Sequence, residues 1–504
     1  MVIEVLGSRV IGPFFGVSLF IWTSLIAVTL ISLALGYGLG GIMADKRGTP
    51  EVLFAIIIVA GILVLLIPVA KAPILKLCVP LGLRLGSFIS TTLLFGPSLF
   101  LLGCVSPYLI KIATAELKNL GKTVGGFYAL STLGSVIGTA VTGFFLIAWL
   151  GVDSIFRIVG IMLIILGAGY FLAFRRLWLV APVLLVPLLF PAQNSEANIS
   201  RTAKNGTKID LVASHDSYYG SIKVVDYSFG QKRLRELIID GLIQGGVDGS
   251  TYLSAYEYSY FLQFLPYAIN PDGKRCLMIG LGAGIIPRWY EQKGIITDVV
   301  DIDPAIFDVA EEYFNLSLKG TKYVQDARFF LRTSEEKYDY IVLDVFNGDT
   351  TPGHLLSLEA LQLVRERLNE GGILGINLVG SLDKETYMTA SVVKTLEVIF
   401  DQVEIYPTFD MQRSDLNGNL AILAYSGDAR VPDLSQITGD PIHSMAKNLV
   451  NKNLTRRFEF PESQEAIVLT DDYNPIDFFD SSLKESVRRN ILETTNWDIL
   501  LYSN

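Results

Sequence analysis

At 504 residues the chain is long enough for two or three domains, and its 41 Lys/Arg against 50 Asp/Glu leave a net charge of −9. The charge is unevenly spread: through Phe190 there are 12 basic and 5 acidic residues, a net of +7, and the other 29 and 45 give −16. The first part therefore reads as a membrane domain and the second as a soluble, acidic one without a basic patch, which argues against nucleic-acid binding; Cys78, Cys104 and Cys276 offer neither a disulfide framework nor zinc spacing.

Apolar runs near the length needed to cross a bilayer lie at about Gly16–Leu39, Val52–Ala70, Gly86–Ile110, Val124–Leu150 and Ile155–Phe174. A sixth, Leu177–Phe190, is short and holds Pro182 and Pro187, so residues 1–191 are expected to form about six helices, the last read as a connector that does not fully cross. Small residues at helical spacing, Gly36 and Gly40 and then Gly134, Gly138 and Thr142, suit close helix packing in lipid. Few charges fall within the runs, so no ion relay is expected. No cleavable signal pattern follows Met1. The stretch GIMADKRG (Gly41–Gly48) resembles the loop after the second helix of major facilitator transporters, which implies a missing or shortened first helix.

Basic residues mark alternate loops: Lys46 and Arg47, then Lys111, Lys118 and Lys122, then Arg175 and Arg176. By the positive-inside rule all three loops face the cytoplasm, and a connector that does not cross keeps the soluble half there too. Four Asn-x-Ser/Thr sequons, at Asn198, Asn205, Asn315 and Asn453, are compatible with the opposite side.

A polar linker (192–208) leads to alternating stretches that read as a small antiparallel β unit over 209–250, in which Asp240 before Gly241 is a turn residue. From 251 to 504 a tyrosine-rich helix is followed by alternating strands and helices, the pattern of a doubly wound, mostly parallel α/β sheet of Rossmann-like, methyltransferase type. Strands are expected at Arg275–Gly280, Asp298–Ile302, Lys322–Val324, Tyr340–Val345, Ile373–Leu378, Val403–Tyr406 and Leu420–Tyr425. The run CLMIGLGAG places Gly280, Gly282 and Gly284 in a tight turn after a buried strand, where missing side chains let a ligand approach the backbone. Asp301, Asp326 and Asp344 each end a strand, and Asp301 sits near the offset at which an acid grips ribose hydroxyls. Together they point to a nucleoside site.

YGSIKV (Tyr219–Val224), DGLIQ (Asp240–Gln244), IGLGAG, VDID, QDA, YDYIVLD and LTDDYNP (Leu469–Pro475) follow one another as in spermidine synthase-like aminopropyltransferases. With GDTTPGHLLSLEAL, the chain resembles more closely the membrane proteins that fuse a transporter-like half to such a domain. The resemblance implies that Asp344 accepts the proton of the attacking amine, that Asp301 meets the ribose hydroxyls, and that Asp326 and Ala327 meet the adenine edge. Tyr219, Gln244 and Tyr258 map onto the family's pocket wall, and His354 falls in the flap over the site.

Three departures bear on the substrate. The acid that holds the aminopropyl amine is replaced by Ala283, and the acid three residues after the catalytic one is Asn347, with Asp349 two further on as the remaining substrate-binding candidate. Ser254, Ala255 and Tyr260 stand where the family carries three more acids. Each lost charge-assisted bond is worth about 1.5–3 kcal/mol, so ordinary spermidine synthesis should be poor and the intact donor becomes acceptable. The expected function is a membrane-bound transfer of an aminopropyl or 3-amino-3-carboxypropyl group to an amine, with decarboxylated S-adenosylmethionine or S-adenosylmethionine as co-substrate, no metal, and methylthioadenosine released. The alternatives are a polyamine transporter or sensor that only reads a nucleoside, and a methyltransferase. Expected partners are a small-molecule amine or polyamine and membrane lipids, with a homodimer left open.

Overall fold

The computed structural model describes residues 1–504 except 17–18, 114–119, 176–177, 190–198, 204, 347–350, 385, 460–464, 477–484, 486–487, 490–491, 493–495, 498 and 500–504. The chain divides into two units, one of Met1–Ala197, Asp216–Ser221 and Thr494–Asn504, the other of Asn198–His215 and Ile222–Glu493.

The first unit is helical: α1 (Val2–Phe15), α2 (Leu19–Arg47), α3 (Pro50–Cys78), α4 (Gly82–Ala113), α5 (Leu120–Val141), a π turn and a short α6 (Ile147–Trp149), and α7 (Val152–Phe174). Among the described residues four helical stretches are long and apolar enough to cross a membrane, Phe20–Arg47, Pro50–Ala113, Gly121–Leu146 and Val152–Phe174. The second holds 64 residues because α3 and α4 are joined by a 3-10 turn, Val79–Leu81, and at 1.5 Å per residue it has length for two crossings. The last apolar run forms a 12-residue 3-10 helix, Trp178–Leu189, rather than a further α-helix. At about 2 Å per residue it reaches about 24 Å, short of a bilayer's apolar thickness of about 30 Å.

Glycines set the close approaches. A Cβ at Gly36 would lie 2.4 Å from the Phe100 carbonyl oxygen and one at Gly40 would lie 2.7 Å from Cys104 Cα, so α2 and α4 touch backbone to backbone. Gly61 on α3 and Gly160 on α7 cross in the same way, each with the other's carbonyl oxygen 2.9 Å from its would-be Cβ. The second expected motif behaves differently: nothing lies within 4 Å of a Cβ at Gly134, and Gly138 meets only Val2 at 3.3 Å. Its spacing is right, but among the described residues no backbone atom of another helix lies within 4 Å of the would-be Cβ at either glycine.

The second unit begins with a five-stranded sheet in sequential order, β1 (Ser200–Thr202), β2 (Lys208–Asp216), β3 (Ser221–Phe229), β4 (Lys232–Ile239) and β5 (Leu242–Asp248). β1 lies inside the stretch read as linker. Asp240 has φ 47° and Gly241 φ 80°, the left-handed pair of a tight hairpin between β4 and β5, which is the turn role expected for Asp240.

α8 (Tyr258–Ile269) then leads into a seven-stranded sheet. Its strands are β6 (Arg275–Ile279), β7 (Ile296–Asp301), β8 (Lys322–Val324), β9 (Tyr338–Leu343), β10 (Leu368–Ser381), β11 (Gln402–Pro407) and β12 (Asn417–Tyr425), in the order β8-β7-β6-β9-β10-β12-β11. The neighbours from β8 to β10 are parallel, while β12 runs antiparallel to β10 and β11. Side chains of β6 alternate: Cys276 and Met278 join one core with α8, α9 (Ile285–Gln292), α10 (Pro304–Phe314) and α14 (Ser444–Asn453). Leu277 and Ile279 join the other, with α11 (Ala327–Thr333), α12 (Leu358–Arg367) and α13 (Tyr387–Glu397). Helices thus cover both faces, as a near-continuous apolar strand requires. The strand order reverses between β6 and β9, which opens a crevice at their carboxyl ends.

Candidate active site

The site is built where β6 and β9 end side by side. The Asp344 N–H donates to the Ile279 carbonyl at 2.9 Å, and the Gly280 N–H donates to Val300 at 2.9 Å. Gly280 has φ 84°, and a Cβ there would lie 2.4 Å from the Asp344 carbonyl oxygen, so this position requires glycine twice over. From the other side β5 closes in. The Gln244 carbonyl oxygen lies 3.4 Å from a would-be Cβ at Gly282, and a Cβ at Gly245 would meet Ala283 Cβ at 3.3 Å and the Tyr258 hydroxyl at 3.8 Å. The Tyr258 hydroxyl donates to the Gln244 carbonyl at 3.3 Å. Gln244, Tyr258, the glycine turn and Asp344 are therefore brought together, and each of these three side chains is half-buried, as in the walls of an open crevice.

The three strand-end acids are held in different ways. Asp301 Oδ2 accepts from the Leu281 N–H at 2.8 Å and Oδ1 from the Asp303 N–H at 2.9 Å, which ties the glycine turn to the end of β7. Burial raises its carboxyl above the usual range, against the pull of those backbone donors. Asp326 caps α11, with Oδ1 accepting from the Phe329 N–H at 2.8 Å, while Oδ2 stands 3.8 Å from His354 Nε2. Ala327 opens that helix. Asp344 Oδ1 instead accepts from a side chain, Asn377 Nδ2, at 2.8 Å. Burial pushes the Asp344 carboxyl up to about 6, with the Asn377 bond pulling the other way. Burial also raises the Tyr258 hydroxyl, and the Asp344 charge adds to it.

Tyr219 is 50% exposed, in a segment (216–221) that groups with the helical unit. Asp349 and Asn347 lie outside the described residues. At the positions where acids are replaced, the Tyr260 hydroxyl donates to the Ser254 carbonyl at 2.8 Å and accepts from the His443 N–H at 3.0 Å, so these residues serve packing. A buried acid does lie nearby: Glu236 accepts from the Tyr256 hydroxyl, and it sits opposite Gly246 rather than on the side of Gly245 and Ala283.

Sequence reasoning missed Asn377, Asn419 and the work of LTDDYNP. Asp471 accepts from both Arg328 terminal nitrogens and from the Ser357 hydroxyl, while Asn474 Nδ2 donates to the Gly353 carbonyl at 2.7 Å. That motif fastens the start of α11 and the chain around His354 beside the crevice. The available signal for Asn377 was a lone amide in the apolar run ILGINLV. Among the described residues no group of three His, Cys, Asp or Glu is placed to hold a metal ion.

Residues 240–410 match the family model of the spermine/spermidine synthase domain. The N-terminal histidine N-methyltransferase of Emericella nidulans is 35% identical over 139 residues, 27% of this chain and 25% of that protein. The polyamine aminopropyltransferase of Vibrio vulnificus is 26% identical over 219 residues, 41% of this chain and 70% of that protein. That of Alkaliphilus metalliredigens is 30% identical over 205 residues, 38% of this chain and 68% of that protein. The chain thus spans a quarter of the first relative and about two thirds of the other two. The order of strands, the glycine turn against Asp344 and these matches have one conclusion: the chain belongs to the spermidine synthase family of polyamine aminopropyltransferases.

Proposed function

We propose that the protein is a membrane-bound alkyltransferase that moves an aminopropyl or 3-amino-3-carboxypropyl group from a nucleoside sulfonium to an amine, with Asp344 as the base. The observation that carries this reading is the Asp344 carboxylate at the switch-point crevice, with Oδ1 on Asn377 and the glycine turn packed against its backbone. Asp301 supports the ribose end and Asp326 with Ala327 the adenine end, each at the end of a strand on the same edge of the sheet. Gln244 and Tyr258 form the wall toward the acceptor. The amine nitrogen attacks the carbon beside the sulfonium; the C–N bond forms, the C–S bond breaks with its electron pair passing to sulfur, and Asp344 takes the amine proton. Methylthioadenosine leaves. A carboxyl near 6 is ionised at neutral pH yet basic enough to accept that proton. The donor is decarboxylated S-adenosylmethionine or S-adenosylmethionine, and Ala283, which leaves no negative charge in the glycine turn, suits the carboxylate of the latter.

The test is purified full-length protein in detergent, given either donor with a diamine, and chromatography of the adenosine product. Methylthioadenosine is expected, falling at least about 100-fold in Asp344→Asn. No methylthioadenosine from either donor overturns the reading. The match to a histidine N-methyltransferase favours methyl transfer as a second reading, and S-adenosylhomocysteine on the same chromatogram would establish it.

The apolar stretches are assigned to the membrane, with their basic ends in the cytoplasm. Lys111 pairs with Asp45 at 2.9 Å and Arg175 pairs with Glu51, so the ends of α2, α4 and α7 and the start of α3 share one side. The α/β unit is assigned to that side because nucleoside sulfonium donors are made in the cytosol.

A further inference from the structure

Asp344 heads a short chain of side-chain amides. Asn377 Nδ2 donates to Asp344 Oδ1 at 2.8 Å, and Asn419 Nδ2 donates to Asn377 Oδ1 at 2.9 Å. Asn377 pairs with Ala421 across the β10–β12 ladder and Asn419 pairs with Val379, so the two amides are diagonal neighbours on one face of the sheet. Asn377 is 1% exposed, and its carbonyl accepts from the Thr351 hydroxyl at 3.4 Å. The Asn419 carbonyl accepts from the Thr408 N–H at 3.1 Å and the Thr408 hydroxyl at 2.8 Å. A side-chain amide can present either its nitrogen or its oxygen to a neighbour. The ionised Asp344 carboxylate only accepts and so takes the Asn377 nitrogen, and Asn419, donating to the oxygen that this leaves, holds the Asn377 amide in that sense.

We propose that Asn377 and Asn419 are positioning residues for the base, fixing Asp344 Oδ1 so that Oδ2 is presented to the attacking amine. This rests on the alkyltransferase reading. A neutral donor on a carboxylate also favours its ionised form, which opposes the burial acting on Asp344. Among the described residues the titratable group facing Asp344 is Tyr258 on α8, kept neutral by burial. The glycine turn brings no charge, β10 and β12 bring the two amides, and Asp301 at the end of β7 is engaged by Leu281 and Asp303.

The test uses three variants of the full-length protein: Asn377→Leu removes the donor at similar volume, Asn419→Leu removes the group that orients it, and Asn377→Gln restores an amide. Infrared titration of the Asp344 carboxyl, taken as the difference from Asp344→Asn, needs no turnover. Asn377→Leu should raise the midpoint by about one pH unit and Asn419→Leu by less in the same direction, with Asn377→Gln nearest to the parent. With substrate, Asn377→Leu should lower kcat about 10- to 100-fold, leave KM for the donor within about 3-fold, and move the acid limb of the pH profile upward. An unchanged midpoint, or a loss carried wholly by KM, overturns the proposal. Should Asn377→Leu fail to fold, Asn419→Leu carries the same outcomes from a half-exposed position. An unproductive parent enzyme overturns the transfer reading, whereas an unmoved carboxyl midpoint overturns the positioning role.

Discussion

Asp301, Asp326 and Asp344 share a residue type and a place at a strand end, yet only their partners separate their work. Asp301 and Asp326 each hold backbone N–H groups and so shape the turn or helix they border. Asp344 is held by a side chain and sits half-buried where two strands end, and desolvation there raises its carboxyl. Its carboxyl lies higher in the folded protein than its usual 3.8, so the folded state binds the extra proton between about 4 and 6 and loses that advantage as pH rises through 6. Asp344→Asn should therefore stabilise the protein by about 1–3 kcal/mol at pH 8 and by little at pH 4, read as the difference in thermal midpoint at the two values. A midpoint gain that does not depend on pH would speak against an ionised, buried Asp344. The sequence placed all three acids just at or after the ends of strands, and parallel strands bring those ends to one edge of the sheet whatever the rest of the chain does.

At the scale of elements, the helical unit holds a buried ion pair at the margins of its expected apolar runs. Its runs contain few charges, but Lys71 on α3 donates to both oxygens of Asp153 on α7, at 2.9 and 2.7 Å, with side chains 10% and 7% exposed. The two residues lie 82 apart, so nothing local announced the pair. Removing one partner leaves a buried charge: Lys71→Ala should cost about 3–5 kcal/mol, and Lys71→Met with Asp153→Leu should recover most of it, measured by thermal unfolding in detergent. The same separation explains why Gly36 and Gly40 meet a neighbouring backbone while Gly134 does not: small residues permit a crossing, and only the path of the other helix decides whether one occurs. Gly36→Leu should lower the thermal midpoint markedly, since its Cβ meets the Phe100 carbonyl, while Gly134→Leu should be nearly neutral.

For the whole molecule, the proposed placing of the α/β unit on the cytoplasmic side of a membrane makes predictions of its own. The sequons lose one of their number as evidence for the outer side: Asn453 is fully buried, with Nδ2 donating to the Pro407 and Phe409 carbonyls, and no glycan could reach it in the folded protein. Single cysteines at Arg47 and at Val431, which is 90% exposed, should label with a membrane-impermeant maleimide only after cells are permeabilised. A cysteine at Leu81, between α3 and α4, should label from outside. Labelling of Val431→Cys in intact cells would place the α/β unit outside.

Read alone, the sequence determined the division into an apolar basic part and an acidic α/β part, the strands of the parallel sheet, and the glycine turn with three acids at strand ends. These are local properties: composition, periodicity and the conformations open to glycine act over a few residues. Tertiary structure decided the antiparallel β12, the diagonal of Asn377 and Asn419, the Lys71–Asp153 pair, and the grouping of Tyr219 with the helical unit. Each of these joins positions far apart in the chain, and a lone polar residue in an apolar run shows only that some partner must exist, because burying it unpaired would cost too much.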